Sequence, residues 1–261
     1  MPYWEAAPGP CLAEWAERVS FSSDESLGLQ PAVRVVPDGA VDVLFSVAPV
    51  GDCSAFVFGV KTRALLVASD GPRHNVALRL RPGAAERLFG VSAVELTDRA
   101  VSLDDLAGAP AREWRERVSE ASDSQARHAA VARGFGSWAA RAAREPDTDD
   151  ALLCAAVGCV RRTRGALSIA ALGESLGVGA RRLERLFQAR VGVTPKAFAR
   201  IARFFAAYES LRTGRDLLDV ALAHGYFDQA HLNRDFRELA GAPPRRIFPS
   251  EASGTGDSLR A

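Results

Sequence analysis

Long apolar runs are missing from this chain: nowhere do about 20 consecutive apolar residues occur, the length a helix needs to cross a bilayer. The opening stretch, MPYWEAAPGP, has neither the basic n-region nor the apolar h-region of an export signal, so a cytoplasmic location and no membrane partner are expected. Cysteine is scarce, at four among 261 residues. Cys154 and Cys159 lie five apart in a helical stretch, which turns them about 140° from each other and suits neither a disulfide nor a CxxC metal pair. All four, Cys11 and Cys53 included, are expected as buried reduced thiols, with redox sensing at Cys11 or Cys53 as the alternative. His74 has no second ligand at metal spacing, so neither a metal nor a cofactor is expected.

Net charge is also nearly absent, at +1, but the balance is uneven along the chain. Up to residue 150 there are 16 Lys+Arg against 22 Asp+Glu, net −6; beyond it there are 17 against 10, net +7. A basic half joined to an acidic one suggests a polyanion-binding module attached to something else. At 48% hydrophobic and 25% charged, the composition is that of a folded protein with enough apolar residues for two modest cores.

The acidic half opens with strand patterns. VRVVPDGAVDVLFSV sets Val41, Val43, Phe45 and Val47 on one face after a PDG turn, and AFVFGV, ALLVAS and NVALRLRP follow. A small, mostly antiparallel β domain is predicted. From about residue 83 the period becomes helical, with Trp114, Val118, Val131, Phe135 and Trp138 recurring at helix spacing. REPDTDD, at 144–150, reads as the linker. The expected division is 1–148 for a β-rich domain ending in helices, 149–250 for an all-α domain, and 251–261 for a flexible tail.

One short motif hints at an enzyme. GESLG at 173–177 fits GxSxG, the surroundings of a nucleophilic serine. That elbow needs a strand to deliver the serine, whereas Ile169, Leu172 and Leu176 here lie along one face of a helix capped by Ser168. Ser175 is therefore read as the last turn of a helix closed by Gly177, and no catalytic residue is expected.

The stronger pattern is internal. Leu183, Arg185, Phe187, Gly192 and Pro195 return 49 positions later as Leu232, Arg234, Phe236, Gly241 and Pro244. Each copy of this LxRxFxxxxGxxP pattern follows a short helix and a glycine turn, SIAALGESLG in one and DLLDVALAHG in the other. Ser168, Thr194, Asp216 and Asp228 stand as N-caps; Gly165, Gly177, Gly192, Gly214, Gly225 and Gly241 mark helix ends. Helix, tight turn and second helix is the helix-turn-helix arrangement. On the second helix of the first unit, Arg181, Glu184, Arg185 and Gln188 share the face opposite the apolar stripe. In the second unit Ala230, Asn233, Arg234 and Arg237 line up likewise, beside Gln229. Arg suits guanine, Asn and Gln suit adenine, and Glu accepts from cytosine, so both faces carry base-reading chemistry. Arg190, Lys196, Arg237, Arg245 and Arg246 are the candidates for phosphate, and Arg161 and Arg162 add to them. A helix of about 20 residues joins the units, long enough to set them in successive major-groove segments.

LGVGARRLERLFQARVGVTPKAF and ALAHGYFDQAHLNRDFRELAGAPPRRI make residues 152–248 resemble the AraC/XylS family of bacterial transcription regulators. The resemblance implies a double helix-turn-helix in which Arg181, Glu184 and Arg185, then Gln229, Ala230, Asn233 and Arg234, occupy base-facing positions. Gly173 stands where the family usually has Ala, and Gly179 where it usually has a Ser cap. The four-cysteine zinc cluster of the methyl-accepting repair relatives is missing. The first part is similar to the cupin-like sensory domains that precede such modules; Trp4, Trp15, His74 and Cys53 are its pocket candidates, against a plain core role. The whole is expected to be α+β, with no enzymatic activity. Its partners are double-stranded operator DNA, a small-molecule effector, a second copy in a homodimer and, for an activator, RNA polymerase. A helical protein-interaction module with a basic face is the rival reading, and a hydrolase using Ser175 the remote one.

Overall fold

The computed structural model describes residues 3–23, 32–49, 51–68 and 72–249, so the expected tail at 251–261 lies outside the described residues. The strands in chain order are β1 (Tyr3–Ala6), β2 (Ala16–Ser23), β3 (Ala32–Val35), β4 (Asp42–Val47), β5 (Cys53–Phe58), β6 (Leu65–Ala68), β7 (His74–Leu80) and β8 (Ala100–Ser102). Six of them make one antiparallel sheet ordered β1-β2-β7-β4-β5-β8, and β3 pairs with β6 as a separate ribbon. The period-2 pattern fixes the register: Phe45 lies opposite Ala55 on one side and Val76 on the other, so that small and branched residues fill one face. Val43, Phe45 and Val47 are all buried there, as the alternation predicts.

Short helices α1 (Ala84–Phe89), α2 (Ala93–Leu96) and α3 (Leu103–Ala107) lead into α4 (Ala109–Glu120) and α5 (Ser124–Ala142). The last two cover the apolar face, burying Trp114, Val118, Val131 and Phe135 in one core with β2, β4, β5 and β7. Trp114 meets Phe135 edge to face at 5.7 Å between ring centroids. Trp15 lies in this core with the Arg87 guanidinium over its ring. Trp4 is stacked on Phe21 at the surface. Cys53 is buried in the same core, and loss of hydration pushes its thiol up to about 11. The expectation of four buried thiols fails for Cys11 and Cys154, which are exposed; helical periodicity placed Cys154 in an apolar stretch but not on its inward face.

Seven helices follow: α6 (Thr148–Arg162), α7 (Ile169–Leu176), α8 (Ala180–Arg190), α9 (Pro195–Arg212), α10 (Leu217–Ala223), α11 (Gln229–Ala240) and α12 (Pro244–Ile247). They close around a second core in which Phe187, Phe198, Phe204 and Phe236 are fully buried; from the first part of the chain Val60, in the loop after β5, is buried in it, and Val36 and Val41 pack against it.

The stretch read as a linker is a built joint. Asp147 caps α6, accepting from the backbone N–H groups of Asp149 and Asp150, while the Asp150 carboxylate accepts from the Asp147 N–H in return. Both carboxylates also hold Arg190, at 2.7 Å for Asp147 and 2.5 Å for Asp150, and Glu86 joins at 3.1 Å. The Arg190 side chain is only 10% exposed. It was expected to meet phosphate, and that expectation is corrected: three carboxylates occupy a guanidinium that has little surface left. Arg161 is similarly engaged, by Glu17 at 2.7 Å. Hydrogen bonds from Arg190 and Arg144 hold the Asp147 carboxyl well below the usual carboxylate range.

Arg190→Ala should strand Asp150 and Glu86 beside each other and cost on the order of 3 kcal/mol in a urea melt at pH 7. A carboxyl whose folded pKa is depressed stabilises above its unfolded value and loses that effect as pH falls through the folded one. The gap between wild type and variant should therefore be full at neutral pH and narrow as the pH is taken below about 4. Parallel melts at pH 7 and pH 3 with an unchanged gap would remove the joint from the account.

Candidate nucleic-acid interface

Each expected cap holds its helix. Ser168 accepts from the Ala171 N–H, Thr194 from Ala197, Asp216 from Leu218 and Asp219, and Asp228 from His231, at 2.7 to 3.3 Å. Gly179, before α8, offers no side-chain acceptor, so this start is held less firmly. Ser175 sits in the last turn of α7, its hydroxyl donating to the Leu172 carbonyl at 2.9 Å. No strand delivers it, so it has none of the geometry of a nucleophile elbow.

In α8, Leu183, Leu186 and Phe187 are buried, while Arg181, Glu184, Arg185 and Gln188 are exposed. In α11, Leu232, Phe236 and Leu239 are buried; Ala230, Arg234 and Arg237 are exposed and Gln229 and Asn233 half-buried. Lys196, Arg245 and Arg246 are exposed too. Arg181, Arg185, Arg234, Arg237, Lys196, Arg245 and Arg246 form no ion pair among the described residues, which leaves their charge available to a polyanion.

The two units are tied together by α9. Phe187 of the first copy meets Phe198 at 5.7 Å, and Phe236 of the second meets Phe204 at 4.9 Å, both edge to face. Phe198 and Phe204 are six residues apart, which separates them by about 9 Å along the axis and about 240° around it. Equivalent side chains of the repeat are thus received on different flanks of one helix.

Equivalence stops at two inward positions, one of them the largely buried Arg190 of α8, which stands where α11 has Leu239. Where α8 has Leu186, α11 has Asp235, 4% exposed. Arg200 of α9 holds it at 2.8 Å and also pairs with Glu238; Arg203 approaches at 3.7 Å and lies over the Tyr226 ring. The sequence reading assigned only apolar residues to this stripe and missed Asp235. The available cue was a carboxylate next to the repeat phenylalanine, with two arginines three apart on the joining helix. His224, at the end of α10, is also buried; its Nε2 lies 2.8 Å from the Ser210 hydroxyl and burial lowers its pKa, so it is neutral at pH 7.

A family model described as a helix-turn-helix domain matches residues 172–249. A second, described as a domain of unknown function (DUF6597), matches residues 5–102. None of the curated proteins matches the chain. Among solved structures, ToxT from Vibrio cholerae in its 1.65 Å form is 9% identical, with 95% of this chain and 96% of that one covered at a TM-score of 0.47. The wild-type ToxT of strain SCE256 with unsaturated fatty acid bound is 12% identical, with 92% and 97% covered at 0.46. No helix among the described residues is long and apolar enough to cross a membrane.

Asp235→Ala leaves two arginines facing a buried gap. It should destabilise the chain by on the order of 3 kcal/mol, whereas Ser175→Ala, at an exposed helix end, should stay within about 0.5 kcal/mol. Equal midpoints for the two variants in urea would refute the assignment of Asp235 as the pin between α9 and α11.

Proposed function

We propose that the chain is a sequence-specific DNA-binding transcription regulator of the AraC/XylS type, in which α8 and α11 of the helix-turn-helix region read successive major-groove segments of a single operator. The observation that carries this is the repeat itself: at an offset of 49 residues Leu183 and Phe187 of α8 and Leu232 and Phe236 of α11 are buried, and Arg185 and Arg234 are both left outward. Arg181, Glu184, Arg185 and Gln188 serve one segment; Gln229, Ala230, Asn233 and Arg234 serve the other. Lys196, Arg237, Arg245 and Arg246 neutralise phosphate, a set from which Arg190 is removed. The 18 residues of α9 span about 27 Å, of the order of one DNA turn of about 34 Å. A protein-interaction helical module would need the same basic face, but not two copies of a base-reading pattern.

Residues 149–250 form the DNA-binding domain on this reading, and residues 1–148 the domain that controls it. Control is supported by where the first part of the chain touches the second. Thr97 Oγ1 donates to the Gly192 carbonyl at 3.0 Å, Ser92 to that of Ala189, and on the other side Arg34 to Ala240, with the Ala64 N–H on Leu239 at 2.7 Å. The C-terminal ends of both proposed reading helices are thus held by the first part of the chain. A polar cleft of about 420 Å³ between the outer sheet face and α9, walled by Arg18, Asp42, Arg79, Phe205 and Arg212, is the place where a small effector would touch both domains. A homodimer, and RNA polymerase for an activator, complete the proposed partners.

Arg185→Ala and Arg234→Ala should each cost on the order of 1 to 3 kcal/mol of operator binding and relax the preference at a base in their own half-site. Lys196→Ala should instead weaken all sequences alike and flatten the log K against log salt slope by about one unit. Selection from random DNA with each variant distinguishes the two roles; an unchanged sequence preference for both arginine variants would defeat the model.

Residues 150–250 expressed alone should bind the same operator, without the effector response. Half a helical turn of DNA inserted between the subsites should remove the contribution of one unit. A folded fragment with no affinity, or a harmless insertion in a binding assay, speaks against the two-groove geometry.

A further inference from the structure

The most exposed large apolar side chain among the described residues is Phe227, at 89%. It stands immediately before Asp228, the cap of α11, at the end of the helix that enters the groove first. Isolated apolar residues on a surface are ordinary, yet this one is held in place on both sides. Its own N–H donates to His231 Nδ1 at 3.4 Å, Asp228 closes onto the His231 N–H at 2.7 Å, and the preceding Tyr226 is buried with its ring against His231. The backbone is fixed while the ring is turned out.

The repeat supplies a control. The residue 49 positions earlier, Val178, is half-buried and packs against the second core. The helix-turn-helix therefore does not require an exposed ring at this point; the second copy alone has one. Phe227 precedes the extended N-cap Asp228 and so stands at the start of α11 and not on it, while Ala230 and Arg234, four apart, share one exposed flank of the helix. An exposed apolar side chain just ahead of a helix whose outward flank carries Ala and Arg matches a particular edge pattern, the 5-methyl of thymine beside the acceptor pair of guanine.

We infer that Phe227 is a specificity-determining residue, packing on a thymine methyl group at the end of the second half-site next to the base read by Arg234. The inference rests on the two-groove reading and goes beyond it by assigning one base to a residue outside the recognition helix proper. The methyl loses contact with water against the ring, so the discrimination is apolar and not hydrogen-bonded. That makes it separable from every arginine contact in the interface.

The test uses the full chain and an operator selected from random duplexes by the wild type. Each thymine of the second half-site is replaced in turn by deoxyuridine, which removes only the methyl. One replacement should weaken wild-type binding about three- to fivefold, the worth of one buried methyl group, and the same replacement should leave Phe227→Ala indifferent. Phe227→Leu should keep part of the sensitivity, and thermal melts should be unchanged for both variants, because the ring is exposed. A wild type insensitive to every replacement, or a Phe227→Ala variant with the wild-type profile, overturns the assignment while operator recognition stands. A wild type that selects no sequence at all overturns both.

Discussion

Two buried phenylalanines, Phe187 and Phe236, are seated against Phe198 and Phe204 of one helix, and the rest of the helical half is arranged around those two contacts. A helix is stiff over 18 residues, so the distance and rotation between the two seats are set by backbone geometry and not by loop conformation. Burying a phenylalanine contributes about 1.5 to 3 kcal/mol, and each seat carries that apolar contact as well as its orientation. On the proposed reading, the outward polar residues gain from this in a specific way. An outward arginine at the end of a rotatable side chain can discriminate bases only if the helix beneath it does not shift, and the aromatic pair below supplies that rigidity.

The second unit has an additional fastening. Asp235 is buried between Arg200 and Arg203, where the first unit has Leu186. Buried ion pairs add little to stability compared with a well-packed apolar side chain, but they penalise misplacement strongly, since a charge left without its partner is costly. The first unit is held by shape and the second by shape and charge. The first has an additional restraint from outside: Arg190, at its far end, belongs to the carboxylate joint made by Glu86, Asp147 and Asp150.

Local rules were legible in the sequence. Ser168, Thr194, Asp216 and Asp228 cap where they were expected to, because a cap depends on backbone groups two or three residues away. The alternation in β4 and the helical stripes in α4, α8 and α11 were readable for the same reason, and the repeat made the division between inward and outward faces a matter of comparing two copies. Arg190 was misread because its partners lie 40, 43 and 104 positions earlier, and a basic residue in the last turn of a helix looks equally suited to phosphate and to carboxylate. Asp235 was overlooked for a related reason: a charged residue in an apolar stripe is assigned outward unless its partners on another helix are known. The strand order β1-β2-β7-β4-β5-β8 was not available from periodicity either, since period-2 patterns give the face of a strand and not its neighbours.

Gly192 and Gly241 close equivalent helices of the repeat, and each lies against the first part of the chain. A Cβ on Gly192 would overlap Thr97 Oγ1 and approach the Ala93 carbonyl oxygen to 2.6 Å; one on Gly241 would come within 3.3 Å of Arg34 Nη1. Both residues have positive φ, at 95° and 76°, so the turn asks for glycine at each site, and at Gly192 the close approach to Thr97 and the Ala93 carbonyl asks for it independently. In genetic terms the two requirements predict separate phenotypes along one surface. On the proposed reading, lesions on the outward flanks of α8 and α11 weaken or relax recognition in every condition. Lesions on the other side of the seam, at Arg34 or Thr97, leave both turns and both reading faces intact and alter only how tightly they are held. A screen for variants that have lost control while keeping their target should therefore return positions that touch neither the DNA nor a ligand.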